Sequence, residues 1–224
     1  MTFSVAGRCA TTGEFGAIVT SSSPSVGARC PWAKSGVGAI LTQNVTDSRL
    51  ATIGFSVLEN GFDAESAIRS MKGASPYPEY RQLAVVDAKG NSAAFTGSKA
   101  LGVHGEFCNK NVASIGNLLS DPTIPEAMGR VFLQLEGQPL AERLISAIEK
   151  GFQMGGELDQ EHSIGLLVYR DQTFPYVDLR IDYSEQPLED LKKLWQIYEP
   201  QANDYEARAV YPEAAPSYGV KGDE

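Results

Sequence analysis

The sequence holds little of what metal, disulfide or nucleic-acid chemistry requires. Its two histidines, His104 and His162, and its three cysteines, Cys9, Cys30 and Cys108, form no C-x-x-C pair and no ligand spacing. Neither a zinc site nor a disulfide framework is therefore expected, and no other metal site is predicted. His104 and Cys108 are four apart, but in a segment that reads as strand, where they would not share a helical face. His162-Ser163 lacks the G-x-S-x-G elbow of a serine hydrolase, and Gly36-x-Gly38 lacks the third glycine of a dinucleotide fingerprint. Cations are also scarce: Lys and Arg total 19 against 28 Asp and Glu, a net charge of −9. That sign argues against nucleic acid or an anionic membrane as the main partner. No apolar run reaches the length of a membrane span, and Met1 to Arg8 shows no basic stretch leading into an apolar one, so a cytoplasmic location is expected.

What the sequence does hold is a succession of short apolar runs and Gly-rich turns within 224 residues, a length that suits one domain. Strands are predicted over 2–7, 15–21 and 36–42. A helix capped by Asp47 or Ser48 carries Leu50, Ile53, Val57 and Leu58 and ends at Asn60-Gly61; Asp63 caps the next, closed by Gly73. A hairpin follows, with strands over 82–87 and 92–96, and further strand runs through Phe107 and Val112 to Asn117. Ala127, Val131 and Leu135 form one helical stripe, and Leu140, Leu144, Ile148 and Phe152 form another. Strands over 163–169 and 176–182 precede a last helix with Leu188, Leu191, Trp195 and Tyr198 on one face and Pro200 just past its end. Residues 201–224 hold two prolines and five acidic against two basic residues, which predicts an acidic exposed arm. Hairpin-like turns in place of regular strand-helix alternation imply an α+β fold with two mainly antiparallel sheets between helix layers. Sheets covered on both faces explain why Gly36-Val37-Gly38-Ala39-Ile40-Leu41 and Gly165-Leu166-Leu167-Val168 lack polar alternation.

Several motifs carry a family resemblance: Thr2-Phe3-Ser4-Val5-Ala6, Gly27 with Pro31-Trp32-Ala33, Gly36-Val37-Gly38-Ala39 with Thr42-Gln43, Tyr80-Arg81-Gln82-Leu83, Gly116-Asn117, and Val177-Asp178-Leu179-Arg180. Together they resemble the domain of unknown function 1028 family, in the N-terminal-nucleophile (Ntn) hydrolase superfamily, over roughly residues 2–195. The resemblance implies a four-layer αββα sandwich over residues 1–200, followed by the acidic tail 201–224. It also implies an N-terminal residue as nucleophile and no cofactor. The chain departs from the family pattern at Cys9, where members tend to carry Asp, and at Ser21 to Ser25, where bulkier residues are usual.

The chemistry so implied is hydrolysis of an amide in a small-molecule or peptide-like substrate. A threonine hydroxyl needs a base, and in this class the base is the residue's own α-amine. Removal of Met1 would make Thr2 that residue; with Met1 retained, the amine is acylated and the mechanism is closed. The plain alternative is an ordinary Met-small-residue start. Asn117, at a predicted strand end, is a candidate oxyanion donor or a simple turn residue. Gln43 and Gln82 are candidate substrate ligands or ordinary strand-end polar residues, and Arg29, Lys34 and Arg81 are candidate cations near the amine, positions more often filled by solvated surface residues. Asp178, Arg180 and Asp182 share a strand face and read as a local ion-pair cluster. The competing functional reading is a non-catalytic binding or assembly protein on the same fold, with a small-molecule binding module as a third. A homo-oligomer, with a dimer as the simplest case, is expected from superfamily habit and from Tyr205, Tyr211 and Tyr218 in a polar tail.

Overall fold

A computed structural model describes residues 2–222; the fate of Met1 and the end of the acidic tail at Asp223-Glu224 lie outside the described residues. The fold is α+β. Ten strands form two antiparallel sheets among the described residues. The first contains β1 (Thr2–Arg8), β2 (Phe15–Ser21), β7 (Gly105–Asn109), β8 (Val112–Asn117), β9 (Ser163–Tyr169) and β10 (Val177–Ile181), in the order β10-β9-β2-β1-β8-β7. The second contains β3 (Pro31–Lys34), β4 (Gly38–Asn44), β5 (Arg81–Asp87) and β6 (Ser92–Thr96), in chain order. The helices are α1 (Arg49–Glu59), α2 (Ala64–Ala74), α3 (Ile124–Gln134), α4 (Leu140–Gln153) and α5 (Pro187–Val210).

The period-two geometry of strands divides the apolar residues into separate cores. Phe3 and Val5 of β1, with Ile18 of β2, pack with Met128 and Phe132 of α3 and Leu144 and Ile148 of α4. Their neighbours along the chain turn the other way: Ala6, Phe15, Ala17 and Ile115 meet Ala39, Leu41, Ala84 and Val86 of the second sheet. On the far face of that sheet, Ile40, Leu83 and Val85 pack with Leu50, Leu58, Ile68 and Met71 of α1 and α2. Asp63 caps α2 as its sequence predicts, accepting from Ser66 N at 2.9 Å. Ser48, by contrast, makes no cap bond with its side chain; Asp47 Oδ1 accepts from Arg49 N at 3.2 Å instead.

Two expectations need correction. The buried stripe of α3 is Ile124, Met128 and Phe132, not Ala127, Val131 and Leu135. Both sets fit helical spacing, and Phe132 fills the larger volume beside Gly7, where a Cβ would lie 2.4 Å from its ring. The final helix does not stop at Pro200 but continues to Val210. Proline at an interior position removes an N–H and leaves the carbonyl of Gln196 without its helical partner. Both residues lie on the exposed face, where that carbonyl meets solvent. Beyond the proline, Ala202 is buried, and Asn203 Oδ1 accepts from Arg170 Nη1 at 2.8 Å and Tyr176 Oη at 3.0 Å. Tyr205 stacks on Tyr198 and Tyr218 sits under the Arg208 guanidinium, so two tail aromatics have partners in their own chain.

A close backbone approach fixes the loop between β2 and β3. A Cβ on Gly165 of β9 would lie 2.6 Å from the Cα of Gly27, which leaves no room for a side chain there, and one on Gly27 would lie 3.0 Å from Arg180 Cγ and 3.1 Å from the Cα of Gly165. Ser163 Oγ adds to this contact, donating to Ser23 O at 2.6 Å and accepting from Val26 N at 3.1 Å. No helix among the described residues is long and apolar enough to cross a membrane. Because α5 packs on the body past Pro200, truncation after Glu199 should lower the melting temperature by roughly 5–10 °C, the scale of a few kcal/mol in a chain of this size. Thermal unfolding followed by circular dichroism reads this; an unchanged midpoint would show that residues 200–222 add nothing to the fold.

Candidate functional site

Thr2 opens β1, the strand with β2 on one side and β8 on the other. It stands opposite Asn117 in the ladder with β8, and the pairing of Phe3 with Thr20 puts Ser21 on its other flank. Thr2 and Ser4 share the face of Ala6, which points between the sheets. By the same alternation Ser21, Gln43, Gln82 and Asn117 project into that space from β2, β4, β5 and β8. The space between the sheets is thus apolar along its length and polar at the Thr2 end.

The polar groups there satisfy one another in a fixed sense. Gln82 Nε2 donates to Gly116 O at 2.9 Å, Thr96 Oγ1 at 3.1 Å and Gly105 O at 3.3 Å. Its Oε1 must then be the acceptor, and it receives Gln43 Nε2 at 2.8 Å and Asn117 Nδ2 at 3.1 Å. Gln43 Nε2 also lies 3.4 Å from Thr2 O, while its Oε1 accepts from Ser4 Oγ at 2.6 Å. Both glutamines are consumed in this framework. Asn117 is oriented by it too: one N–H of its Nδ2 donates to Gln82, and its buried Oδ1 has no partner among the described residues. The side chain therefore brings an idle acceptor to this end of the sheets as well as the donor the sequence suggested. Thr2 itself is 6 % exposed, and its Oγ1 lies 3.5 Å from Ser21 Oγ, which also receives Ser23 N at 3.1 Å.

Beyond Thr2, the space between β2 and β8 is occupied by a turn that includes Gly155 and Gly156. Both glycines have left-handed φ, 103° and 55°. On the β8 side, Leu158 N donates to Leu118 O at 3.0 Å and Ser120 N donates to Gly156 O at 3.0 Å. On the β2 side, Ser22 N donates to Glu157 Oε2 at 3.1 Å. Glu157 is 5 % exposed, and its Oε1 has no partner among the described residues. Burial pushes its carboxyl up to about 8. The neighbouring Glu161, whose Oε1 accepts from Glu157 N at 2.9 Å, is also raised by burial. Glu157 is a site residue that the sequence did not single out; its one mark there is the Gly-Gly pair before it.

Two non-glycine residues at this end hold left-handed backbone: Asn44 at φ 74° and Leu118 at φ 53°, each directly after a site residue. For a leucine this costs roughly 1–2 kcal/mol. Leu118 is held by N–H donation to Leu101 O and by the bond from Leu158 N to its own carbonyl, both at 3.0 Å.

The three candidate cations make their contacts elsewhere. Arg81, one residue from Gln82, faces the helix side of its strand, where it donates to Val45 O and to Ser75 Oγ and lies 3.8 Å from Asp47 Oδ2. Arg29 Nη1 donates to Pro24 O at 2.7 Å and Ser25 O at 2.8 Å, tying its own loop together. Lys34 pairs with Glu59 near the start of β4. That is five residues, or roughly 17 Å of strand, from Gln43. Arg180 pairs with Asp178 at 3.2 Å, the local pair its spacing suggested.

No curated protein matches the chain. Among solved structures, protein SPO2555 from Silicibacter pomeroyi, a member of DUF1028, superposes with a TM-score of 0.80 at 28 % identity, covering 88 % of each chain. An Anbu mutant from Hyphomicrobium sp. strain MC1 gives a TM-score of 0.43 at 11 % identity, covering 91 % of this chain and 96 % of that one. Anbu (ancestral beta-subunit) from Yersinia bercovieri gives 0.39 at 11 % identity, with 91 % and 96 % covered. The model of one family matches residues 2–191, and the chain belongs to it: the family of unknown function DUF1028.

Proposed function

We propose that the chain is an Ntn amidohydrolase on a four-layer αββα sandwich, with Thr2 as nucleophile once Met1 is removed. The cores on either side of each sheet support the layering. One observation carries the catalytic reading: Thr2 opens a central strand inside a closed polar cluster in which two buried groups, Asn117 Oδ1 and Glu157 Oε1, await a hydrogen-bond partner. Unsatisfied buried polar groups are costly and mark sites where a further group belongs. The free α-amine of Thr2 is such a group.

In this reading the amine accepts the hydroxyl proton as Thr2 Oγ1 bonds to the amide carbonyl carbon. The C–N bond then breaks, the proton leaves with the departing amine, and water hydrolyses the resulting ester. Gln43 and Gln82 act as the frame that fixes Thr2, and the Ser21 hydroxyl lies 3.5 Å from the nucleophile. Glu157 positions the amine and, with its carboxyl raised, can hold or release a proton near neutral pH. The idle Oδ1 of Asn117 favours a second reading, a non-catalytic protein that binds an amide-like ligand at the same place, because an unpartnered acceptor suits a ligand N–H and does not stabilise an oxyanion. The chain is proposed to act as a cytoplasmic homo-oligomer, and a monomer mass by light scattering across the micromolar range would remove that part.

Three outcomes are expected. In protein confirmed by intact mass to lack Met1, Thr2→Ala abolishes amide hydrolysis with the fold intact, and Thr2→Ser retains part of it because it keeps both hydroxyl and amine. Full turnover by a Met1-retaining preparation would sink the mechanism and leave the binding reading. The third outcome concerns stability. A carboxyl whose folded pKa lies above its ordinary value keeps a proton that the unfolded chain has released, so stability falls as pH rises between about 4.5 and about 8 and levels off above. Glu157→Gln removes this dependence. Denaturant melts should show the variant gaining on the parent by up to about 1.4 kcal/mol per pH unit across that window; parallel pH profiles would mean that Glu157 ionises normally.

A further inference from the structure

The end of the molecule that holds Thr2 is rimmed by large apolar side chains with no apolar cover. Val45, Tyr77, Tyr80, Leu101, Val103 and Leu158 are all exposed, Leu158 by 67 % and Leu101 by 48 %. They come from separate loops that backbone bonds gather around the site. Val45 N donates to Tyr80 O at 3.3 Å, and Tyr80 N to Tyr77 O at 3.3 Å. Leu101 N lies 3.2 Å from Asn44 Oδ1. Leu118 N donates to Leu101 O, Leu119 N to Val103 O, and Leu158 N to Leu118 O, at 2.9–3.0 Å. Each rim loop is joined to the residue directly after Gln43 or Asn117, so the rim begins about one to three residues, or roughly 3–10 Å, from the groups around Thr2. Beside Tyr80, Lys99 is matched against Glu79 at 3.3 Å and lies over the Tyr80 ring.

We infer that this rim holds the acyl chain of the substrate, and that the chain is aliphatic and several carbons long; the inference rests on Thr2 being the nucleophile. The chemistry selects the acyl side. The amine leaves in the first step, whereas the acyl group stays bonded to Thr2 Oγ1 until water arrives, so a surface that grips the acyl portion acts through both steps. A polar floor of carboxamides and hydroxyls under an apolar rim matches a molecule with one amide head and a hydrocarbon tail. Clustered exposed apolar side chains mark a binding function, and here the loops that carry them are bonded to the residues that follow Gln43 and Asn117.

Calorimetric titration of Met1-free protein with acetamide, butanamide, hexanamide and octanamide tests this. Affinity should rise roughly two- to four-fold per methylene, the upper figure being what about 0.8 kcal/mol per fully buried CH2 gives. The double substitution Leu101→Asp with Leu158→Asp should flatten the series; if that protein does not fold by circular dichroism, Val45→Asp takes its place. Thr2→Ala should leave the chain-length dependence intact. Octanamide turnover retained by Thr2→Ala, with that dependence preserved, would then defeat only the nucleophile reading. Affinity that ignores chain length, or a series unmoved by the rim variants, would overturn the proposal. So would light scattering in which the rim variants convert an oligomer to monomer while amide affinity is flat in the parent, since the rim would then be a contact between copies of this chain.

Discussion

Adjacent residues on a strand point to opposite faces, and β1, hydrogen-bonded on both sides, has to satisfy two environments at once. Phe3 and Val5 serve the helix-side core, and Ala6 serves the core between the sheets. Where β1 begins, the side chains that face the space between the sheets are polar, with Thr2, Ser4, Gln43, Gln82 and Asn117 among them. The polar side chains there are buried and must bond to one another, since each group left unpaired costs about 1–3 kcal/mol. Gln82 settles the arrangement. Its amide donates to three oxygens, which forces its own oxygen to accept from Gln43 and Asn117 and so orients every other member.

That logic separates frame from site. Every polar side-chain atom of Gln43 and Gln82 is bonded to a protein group, whereas Asn117 and Glu157 each retain one idle oxygen. The idle atoms belong to the two elements that approach the strand start, β8 and the Gly155-Gly156 turn. The strained backbone at Asn44 and Leu118 lies in the same place. Leu118 departs from the β-region just where β8 must turn toward the loops of the apolar rim.

Much of this was legible in the sequence and some was not, for identifiable reasons. Strand positions follow from local alternation and turn residues, and the gathering of Thr2, Gln43, Gln82 and Asn117 follows from motif positions at strand ends. Arg81 could have been set aside from the sequence, because a residue adjacent to Gln82 in a strand cannot share its face. Glu157 could not be found, since its burial comes from long-range contacts with Leu119 and Ser22 that no local pattern encodes. The extent of α5 was hidden because proline is a strong local stop signal, and only the packing of Ala202 and Asn203 against the body overrides it.

The contact between Gly27 and Gly165 bears on how the site can respond to a ligand. With backbone against backbone and Ser163 bonded into the same loop, the stretch that includes Ser21, Ser22 and Ser23 is anchored to β9 at its far end and to β2 at its near end. A segment clamped at both ends has little freedom to swing. The wall beside Thr2 is therefore a fixed shape, set by the serines themselves and held where two backbones touch, with no space for a side chain on Gly165 and little for one on Gly27.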